Sequence, residues 1–479
     1  MDLALTFDDV LLIPQFSEIL PYQANVETYL TKQIKLNIPI LSSAMDTVTT
    51  SKMAIEIALL GGIGCLHKNC TIEEQQQMAN KVKRFKSWIV NDPITIGHDK
   101  LVKDVIELQY MHNISGIPVI DKNNKLCGVI TNRDIRFIEN HNTPLIEVMT
   151  PQEKLITVNT EVQPKDALKL LHCNRIERLL VVNNQHQCIG LITVKDIEKF
   201  HQYPISCNDN ELRLRVGAAI GINDLDRLEA LMEVGVDVFF IDTAHGHSKY
   251  VIDTVKDFRK RYPTMQIVAG NIATYDAAIA LANAGADALK IGIGPGSICT
   301  TRIIAGIGYP QLSAIMNVKK ACVERDLCLI ADGGIRYSGD IAKAIAAGAD
   351  AVMLGSLLAG SSASPGEIIT YKGKAYKKYR GMGSISAMKK GSSARYFQNS
   401  SQKLVPEGIE GKIAFKGKTS EVVYQLIGGL KSSMGYTGNE DIQKMKNNCE
   451  FVRITNSGLK ESHSHDIEID TEAPNYHIS

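Results

Sequence analysis

Short apolar runs that end in small or polar residues recur along the chain and set its predicted architecture. Eight of them predict buried strands, at 39–42, 63–67, 216–220, 238–242, 267–271, 289–292, 329–332 and 352–355. Apolar positions at helical spacing fill most of the gaps, for example over 225–234, 274–284, 312–324 and 339–347. Continuous apolar strands that alternate with helices are typical of a parallel sheet covered on both faces. Eight such units favour an α/β fold of the closed (β/α)8 TIM-barrel type over an open doubly wound sheet.

Three Gly-x-Asp tripeptides stand just before predicted strands, at 235–237, 285–287 and 348–350. Glycine is the residue that most easily ends a helix in the left-handed conformation. We therefore expect these glycines to be helix C-caps that lead into the strands.

A different pattern fills the interval 89–202, where three short motifs occur twice. The motifs at 93–96, 117–120 and 128–134 recur at 155–158, 179–182 and 190–196, and each pair is offset by 62 residues, as from 93 to 155. A shared offset indicates two copies of one supersecondary unit. The copies interrupt the barrel after its second helix, about 73–86. The predicted domains are a catalytic barrel (1–88 and 203–479) and two inserted repeats (89–148 and 149–202).

Composition narrows the function classes. The chain has 479 residues, and its 53 Lys and Arg nearly balance 52 Asp and Glu, so no nucleic-acid partner is expected. No apolar run reaches the ~18 residues that span a bilayer, so no membrane association is expected. The ten cysteines form no CxxC pair, and the N-terminus has no basic region typical of a secretory signal. We expect a reduced, cytoplasmic protein.

The glycine-rich loop 294–302, Gly-Pro-Gly-Ser-Ile-Cys-Thr-Thr-Arg, contains the strongest candidate for chemistry. It follows the sixth predicted strand, and barrel active sites lie at the carboxyl ends of strands. Gly294 and Gly296 permit backbone conformations that turn amides or carbonyls towards a ligand. A thiolate at Cys299, near Arg302 and several amides, is a candidate nucleophile. The alternative is a buried structural cysteine.

Small residues end the last two predicted strands. Asp332, Gly333 and Gly334 follow the seventh strand, and Gly355 and Ser356 follow the eighth. These two loops are the usual phosphate site of β/α barrels. The hydroxyl of Ser297 is positioned to join them, and the carboxylate of Asp332 suits ribose hydroxyls. The alternative is tight packing of strand against helix.

Two further segments carry weaker signals. Asp242 ends the fourth strand, where its carboxylate suits a second ribose, and His245 and His247 follow it as a poor metal pair. No Gly-x-Gly-x-x-Gly fingerprint is present. The glycine-rich segment 380–420 is typical of a mobile flap. Its Arg395-Tyr396 pair is either an unremarkable exposed pair or a gate for water chemistry.

The chain resembles the IMP dehydrogenase / GMP reductase family, and within that family it resembles the IMP dehydrogenases. The motifs that carry the resemblance are 5–10, 42–49, 294–302, 379–384, 395–397 and 407–411. The inserted repeats resemble a pair of CBS domains. Ala394 departs from the pattern, because many bacterial relatives are expected to have an acid there.

The resemblance implies a two-step reaction. Cys299 would add to C2 of hypoxanthine in IMP, and a hydride would leave C2 for NAD⁺. The flap would then replace NADH, and water would hydrolyse the thioimidate to xanthosine monophosphate. Arg395, beside Tyr396, would act as general base, and Thr301 would orient the water.

The resemblance also implies binding residues, carried over by position. The phosphate group would be held by Ser297, Gly333, Gly334, Gly355, Ser356 and Tyr379, with Arg380 and Gly381 alongside. Asp332 would bind the ribose, and Asn271, Met382, Gly383 and Glu407 would line the base. Asp242, Gly292, Ile293 and Gly294 would face the NAD⁺.

An ion and an effector are implied as well. K⁺ would bind the carbonyls of Gly294, Gly296 and Cys299, together with a neighbour's tail at Glu461, Ser462 and His463, in a homotetramer or possibly an octamer. In the repeats, Thr131 with Asp134 and Thr193 with Asp196 would bind ATP or another purine nucleotide.

Two alternatives remain. GMP reductase runs related chemistry with NADPH and ammonia release, and most such reductases lack the insertion and the Arg-Tyr pair. A non-catalytic nucleotide sensor would be favoured by loss of Cys299, Thr301 or Arg395, and all three are present.

Overall fold

Eight parallel strands close into a barrel in the computed structural model of the protein. The strands are β1 (Ile40–Ser42), β2 (Ile63–Leu66), β3 (Val216–Ile220), β4 (Val238–Asp242), β5 (Ile267–Ile272), β6 (Ala288–Ile291), β7 (Cys328–Asp332) and β8 (Ala351–Leu354). Each strand pairs with the next, and β8 returns to β1. The structure describes residues 3–85, 89–91, 93–112, 114–159, 162–195, 197, 203–398, 403–470 and 473–476. All eight predicted strands and the TIM barrel are confirmed.

Eight helices alternate with the strands. They are α1 (Ser51–Leu59), α2 (Ile72–Arg84), α3 (Leu225–Glu233), α4 (Lys249–Arg261), α5 (Tyr275–Ala284), α6 (Gln311–Arg325), α7 (Ser338–Ala347) and α8 (Thr419–Tyr436). Side-chain caps fix some of their starts, since Ser248 accepts from the amide of Val251 and Thr274 from that of Ala277. Among the described residues, no helix has both the length and the apolar character needed to cross a bilayer.

The Gly-x-Asp tripeptides join helices to strands in a repeated way. The glycines take positive φ angles of 77° at Gly235, 103° at Gly285 and 129° at Gly348, as predicted. The aspartates have a role that the pattern alone did not indicate. Each carboxylate accepts a hydrogen bond from the backbone amide of a residue at the start of the preceding strand. These bonds are Val216 N to Asp237 (2.8 Å), Ile267 N to Asp287 (2.7 Å) and Leu329 N to Asp350 (2.8 Å).

The core of the barrel is closed at the amino-terminal ends of its strands. A hairpin, Thr28–Thr31 with Ile34–Leu36, inserts Leu30, Ile34 and Leu36 beneath the inward side chains of the strands. Phe240 and Met353 fill the interior between them and the opposite end. Since one end is plugged with apolar side chains, the barrel opens only at the carboxyl ends of its strands.

Shorter elements decorate the barrel. Val10–Leu12 pairs with Phe451–Arg453, and Ile369–Tyr371, Lys374–Arg380 and Glu410–Ala414 form an antiparallel sheet. The remaining helices are Thr301–Ile304, Ser356–Ala359, Ile385–Lys390, Ile442–Asn448 and Asn456–Glu461, with 3-10 turns at Phe7–Asp9, Pro21–Gln23 and Ser392–Tyr396.

The segment 380–420 is better packed than its composition indicates. Met382, Ser384, Ala387, Met388 and Ser392 are buried in it. A Cβ at Gly383 would lie 2.8 Å from the ring of Tyr396, so this glycine permits close packing. Residues 380–397 are therefore packed against the barrel in this structure, and the predicted mobility of the flap stays a prediction; residues 399–402 lie outside the described part of the chain.

Residues 84–204 form a separate compact unit, and 1–83 with 205–479 form the other. The smaller unit has two four-stranded sheets of matching order. One contains Ile96–Gly97, Gly116–Ile120, Leu126–Thr131 and Thr150–Pro151; the other contains Thr157–Val158, Arg178–Val182, Cys188–Thr193 and Val90–Asn91. Its helices are Val102–His112, Asn132–Ile135, Leu145–Val148 and Pro164–Asn174, with a 3-10 turn at Gln152–Lys154. An isolated bridge joins Lys125 to Gln187, two positions that are equivalent in the repeat.

Candidate active site

A cavity at the carboxyl ends of the barrel strands collects most of the predicted site residues. Those that line it are Asp242, Asn271, Gly292, Ile293, Gly294, Gly296, Cys299, Thr301, Asp332, Gly333, Tyr379, Gly381, Met382, Gly383, Arg395, Tyr396 and Glu407. Ser43, Met45 and Lys290 also line it and were not predicted. The cavity therefore lies where a barrel enzyme binds its substrate.

Cys299 is held at this cavity by the backbone on both sides of it. Its amide donates to the carbonyl of Gly296 at 3.0 Å, and an isolated bridge pairs it with Gly408. Its Sγ lies 3.2 Å from Oγ1 of Thr301, which donates to Oε2 of Glu407 at 2.8 Å. The thiol thus faces a hydroxyl that is itself fixed by a carboxylate.

Arg302 has a different role from the one suggested by its position in the loop. Its guanidinium donates to the backbone carbonyls of Ile293 at 3.4 Å and Tyr309 at 2.7 Å. It therefore clamps the two ends of the loop that carries Cys299.

Most other cysteines have features of structural residues. Burial raises the pKa of Cys207, Cys322 and Cys328 to about 12, and that of Cys65 further. Such groups stay protonated at neutral pH and are poor nucleophiles. Cys65 lies inside the barrel, and Cys207, Cys322 and Cys328 lie towards its closed end or against its outer helices.

Lys290 organises the floor of the cavity and was missed by the sequence analysis. Its Nζ donates to Asp242 at 3.0 Å and Asp332 at 2.7 Å, and also to the side-chain oxygen of Asn271. The amide of Asn271 in turn donates to Asp332 and to the carbonyl of Gly292, both at 2.9 Å. The available signal was a single charged residue within an otherwise apolar barrel strand.

Arg395 reaches the same network from the flap segment. Its guanidinium forms an ion pair with Asp242, and its carbonyl accepts from the amide of Ala244 at 3.0 Å. Burial raises the pKa of the neighbouring Tyr396. The flap is thus docked, and its arginine occupies the carboxylate that was predicted to bind the cofactor ribose.

Some of the residues predicted to bind phosphate lie close to one another. A Cβ at Gly355 would be 3.0 Å from the hydroxyl of Tyr379. That hydroxyl also bonds Ser297, but burial outweighs this bond and raises the pKa of Tyr379 to about 12. Gly333 and Gly334 take φ angles of 88° and 80° beside Pro295.

Two predicted substrate residues are placed differently. Ser356 begins a short helix and lines a neighbouring cavity with Arg336 and Lys416. The guanidinium of Arg380 pairs with Asp46 and donates to Ser386 at 2.6 Å. The Arg380 side chain therefore braces the flap against the loop after β1.

The remaining predicted residues lie away from the cavity. Glu461 ends a short helix, Ser462 follows it, and the ring of His463 lies beside Tyr337 and Tyr476. The rings of His245 and His247 are 6.5 Å apart, and in the described part of the chain no group of three or more His, Cys, Asp or Glu could hold a metal.

The predicted effector residues lie in the smaller unit. Thr131 donates to Asp134 at 2.7 Å through its hydroxyl and, at the same distance, through its amide. Thr193 ends its strand, and Asp196 lies outside the described residues.

Comparisons with known proteins agree on one family. The model of the IMP dehydrogenase / GMP reductase domain matches residues 4–465. The inosine-5′-monophosphate dehydrogenase of Aquifex aeolicus is 53% identical over 99% of this chain and 98% of its own length, and that of Escherichia coli K12 is 50% identical over the same shares. A GMP reductase of Trypanosoma brucei, solved in complex with guanosine 5′-monophosphate, matches at a TM-score of 0.90 and 40% identity.

The reductase match includes the inserted repeats. It covers 98% of this chain and 99% of that chain, so the inserted repeats do not separate the two activities. The domain match over nearly the whole length, with the full-length relatives, shows that this chain belongs to the IMP dehydrogenase / GMP reductase family.

Proposed function

We propose that the protein oxidises inosine 5′-monophosphate to xanthosine 5′-monophosphate with NAD⁺, a step in guanine nucleotide synthesis. The observation that carries the proposal is the cavity in which Cys299, the Thr301–Glu407 pair and the docked Arg395 converge. The identities of 50–53% with IMP dehydrogenases, against 40% with the reductase, favour oxidation of IMP over reduction of GMP.

Cys299 performs the covalent step. Its sulfur adds to C2 of the base while a ring nitrogen takes a proton, which makes C2 tetrahedral and able to release a hydride. Bound NAD⁺ supplies the acceptor for that hydride. Loss of the hydride leaves a thioimidate on Cys299.

Hydrolysis completes the cycle. Water adds to C2 with Thr301 orienting it and Arg395 accepting its proton, assisted by Tyr396. The bond between C2 and sulfur then breaks, and the thiol is restored. Proton transfer by a positioned side chain is worth about 10²–10⁴ in rate.

Asp242 would set the order of hydride transfer and hydrolysis, because the flap and the cofactor both use its carboxylate. Arg395 pairs with the same side chain that would bind the nicotinamide ribose, beside the backbone of Gly292, Ile293 and Gly294. Lys290 and Arg395 already pair with the two oxygens of this carboxylate, so the ribose would bind there once Arg395 has left, and the flap would dock after NADH leaves. NAD⁺ and the flap would therefore occupy the same part of the cavity in turn, the first for hydride transfer and the second for hydrolysis.

The rest of the cavity suits a nucleotide. Ser297, Gly333, Gly334, Gly355, Ser356 and Tyr379, with Arg380 and Gly381 alongside, would bind the phosphate, and Asn271, Met382, Gly383 and Glu407 would line the base. Asp332, fixed by Lys290 and Asn271, is placed to accept hydrogen bonds from the ribose hydroxyls.

The loop of Cys299 fits a monovalent cation. Gly294, Gly296 and Cys299 have uncharged carbonyl oxygens in one short loop, where Gly294 has a positive φ of 78° and the Gly296 carbonyl also accepts from the Cys299 amide. K⁺ bound by these carbonyls would brace the loop. Glu461, Ser462 and His463 of a neighbouring subunit would complete the site in a homotetramer, or in a possible octamer.

The inserted unit would be a regulatory pair of CBS domains, with 89–148 and 149–202 as its repeats. Thr131 with Asp134 and Thr193 with Asp196 would bind ATP or another purine nucleotide. The enzyme would work in the cytoplasm.

The test follows NADH absorbance with purified protein, IMP, NAD⁺ and K⁺, beside a parallel reaction of GMP with NADPH. We expect NADH to form in the reaction with IMP and NAD⁺, and no NADPH to be consumed in the reaction with GMP. Cys299→Ala should abolish the reaction, and Cys328→Ala, a half-buried cysteine at the opposite end of the barrel, should retain it. Consumption of NADPH with GMP, or full activity of Cys299→Ala, would overturn the proposal.

A further inference from the structure

Besides the pair of Arg395 with Asp242, a second cluster contacts the docked flap, at the loops that follow β1 and β2. Its centre is the carboxylate of Asp46, whose side chain is 4% exposed. Arg380 donates from Nε to Oδ1 of this carboxylate at 3.1 Å and pairs with Oδ2 as well. Asn69 donates from Nδ2 to Oδ2 at 2.8 Å. One buried carboxylate therefore orients a guanidinium and an amide.

The short flap helix Ile385–Lys390 lies against both of these side chains. The carbonyl of Ala387 accepts from Nδ2 of Asn69 at 3.4 Å, and Asn69 is itself 1% exposed. The hydroxyl of Ser386 accepts from the guanidinium of Arg380 at 2.6 Å. The helix is thus held by two donors that belong to one cluster, separately from the pair that holds Arg395.

Asp46 determines which way the amide of Asn69 points. Burial alone would raise the pKa of Asp46, but hydrogen bonds from Arg380 and Asn69 outweigh it and hold the pKa below its ordinary value. An ionised carboxylate only accepts hydrogen bonds, so the NH₂ group of Asn69 faces it and has its second N–H left for Ala387. A Cβ at Gly391, just after the helix, would lie 3.2 Å from Oδ1 of Asn69.

We propose that Asn69 and Arg380, both oriented by Asp46, form a seat for the flap helix and are positioning residues for hydrolysis. The seat would bring Arg395 to Asp242 without touching the reacting atoms. This inference rests on the proposed alternation of NAD⁺ and the flap, and it adds the residues that set the balance between them.

Competition between NAD⁺ and the flap makes the balance measurable. In the thioimidate form, the rate of hydrolysis is proportional to the fraction of molecules with the flap docked. NAD⁺ binds only when the flap is undocked, so its inhibition constant is inversely proportional to the undocked fraction. The product of the two quantities is therefore proportional to the equilibrium constant of docking, whatever balance the parent protein has.

Asn69→Ala removes the hydrogen bond to Ala387, and such a bond is worth about threefold to tenfold in an equilibrium constant. We expect the product to fall by about that factor. Single-turnover quenches, with enzyme in excess over radiolabelled IMP, follow the decay of the covalent adduct, and repeating them at rising NAD⁺ gives the inhibition constant. The NADH burst should keep its rate, because hydride transfer precedes docking.

Two further variants in the flap helix are matched to this change. Ser386→Ala removes the hydroxyl that accepts from Arg380 and should lower the product by a similar factor, which also tests the seat if Asn69→Ala does not fold. Lys389→Ala removes an exposed side chain of the same helix and should leave both quantities unchanged. Melting temperatures show which variants fold.

The outcomes separate this inference from the proposed function. An unchanged product in Asn69→Ala would overturn the role of Asn69, and an unchanged product in both variants would overturn the seat. A burst slowed as much as the decay of the adduct would also overturn it. A parent protein whose adduct decays at the same rate at every NAD⁺ concentration would overturn the alternation, and one that forms no adduct would overturn the proposed function.

Discussion

The barrel buries one lysine with two aspartates at each of its ends, and only one of these clusters lies in the cavity. At the closed end, Lys83 contacts Asp209 and Asp237, both at 2.9 Å. At the open end, Lys290 contacts Asp242 at 3.0 Å and Asp332 at 2.7 Å. Both lysine side chains are 3% exposed. Burial and charge alone therefore do not identify the functional cluster.

The partners of the carboxylates distinguish the two ends. At the closed end, backbone amides are among the donors, because Asp237 accepts from Val216 at 2.8 Å and Asp209 from Arg213 at 2.9 Å. Burial raises the pKa of Asp237. For Asp209 burial acts in the same direction, but Lys83 and Arg213 outweigh it and lower the pKa. Bonds to the backbone of strands and turns cannot be exchanged without unfolding.

At the open end, side chains hold the carboxylates. The partners found in the described structure are Lys290, Asn271 and Arg395. A side chain that swings away can be replaced by a ribose hydroxyl or by another cation. A buried charge is thus structural where the backbone holds it and available for function where mobile side chains do.

Arg395→Ala should have the largest effect, because it removes the exchangeable partner at the open end. We expect the steady-state rate to fall about 10³-fold, in the range for loss of a general base. The first turnover should still release NADH, in an amount equal to the enzyme, since hydride transfer precedes docking of Arg395.

Rapid-mixing absorbance measures this burst. Lys389→Ala, an exposed cation in the same segment, should behave like the parent protein. A variant of Arg395 that lost the burst together with the steady-state rate would show that the arginine acts before hydrolysis.

Lys83→Met tests the closed end. It leaves Asp209 and Asp237 without their shared cation, and breaking a buried pair typically costs about 3–5 kcal/mol. We expect the free energy of unfolding to fall by about that amount in chemical denaturation. The kcat of the molecules that remain folded should be unchanged, and a lower kcat would contradict the structural assignment.

Lys290→Met makes the matched change at the open end. Asp242 and Asp332 would lose their common anchor, and misplacement of binding groups by about 1 Å can cost about 10²-fold in rate. We expect kcat/KM for both IMP and NAD⁺ to fall about that far, whereas Lys83→Met should leave the kinetics unchanged. In each variant one aspartate keeps an arginine, Arg395 for Asp242 and Arg213 for Asp209, so the kinetics distinguish the two ends. A stability loss equal to that of Lys83→Met with normal kinetics would remove the distinction between the ends.

The sequence predicts the barrel well because its strands are covered on both faces. Continuous apolar runs then mark every strand, and the Gly-x-Asp tripeptides mark three of the entries. The same property hides Lys290, since in a strand that is apolar on both faces no alternation shows which side chains point inward. Its charge within Leu289-Lys290-Ile291 was the only local sign.

The flap shows why other contacts could not be predicted. Gly383 accommodates the ring of Tyr396, and Arg395 finds Asp242 far away in the sequence. Glycine content indicates freedom of the backbone, but it cannot show which ring will pack against which glycine. Contacts between distant residues are set by the closed barrel rather than by local pattern.

A second buried lysine at the open end, Lys68, allows the two ends to be compared by the pH dependence of stability. In the described structure no carboxylate lies within ion-pair distance of it. Burial lowers its pKa to about 8, although Asp224 opposes the shift. Between about pH 8 and its unfolded pKa near 10.4, the unfolded chain binds more protons there, so Lys68 contributes stability that rises with pH.

Buried thiols with raised pKa values oppose this trend, so the parent is compared with Lys68→Met. The free energy of unfolding of the parent minus that of the variant should increase by about 2–3 kcal/mol across that window. The exposed Lys81→Met should give a flat difference. A flat difference for Lys68 as well would mean that water or a carboxylate neutralises the cost of burial, and that the open end tolerates lone cations as easily as paired ones.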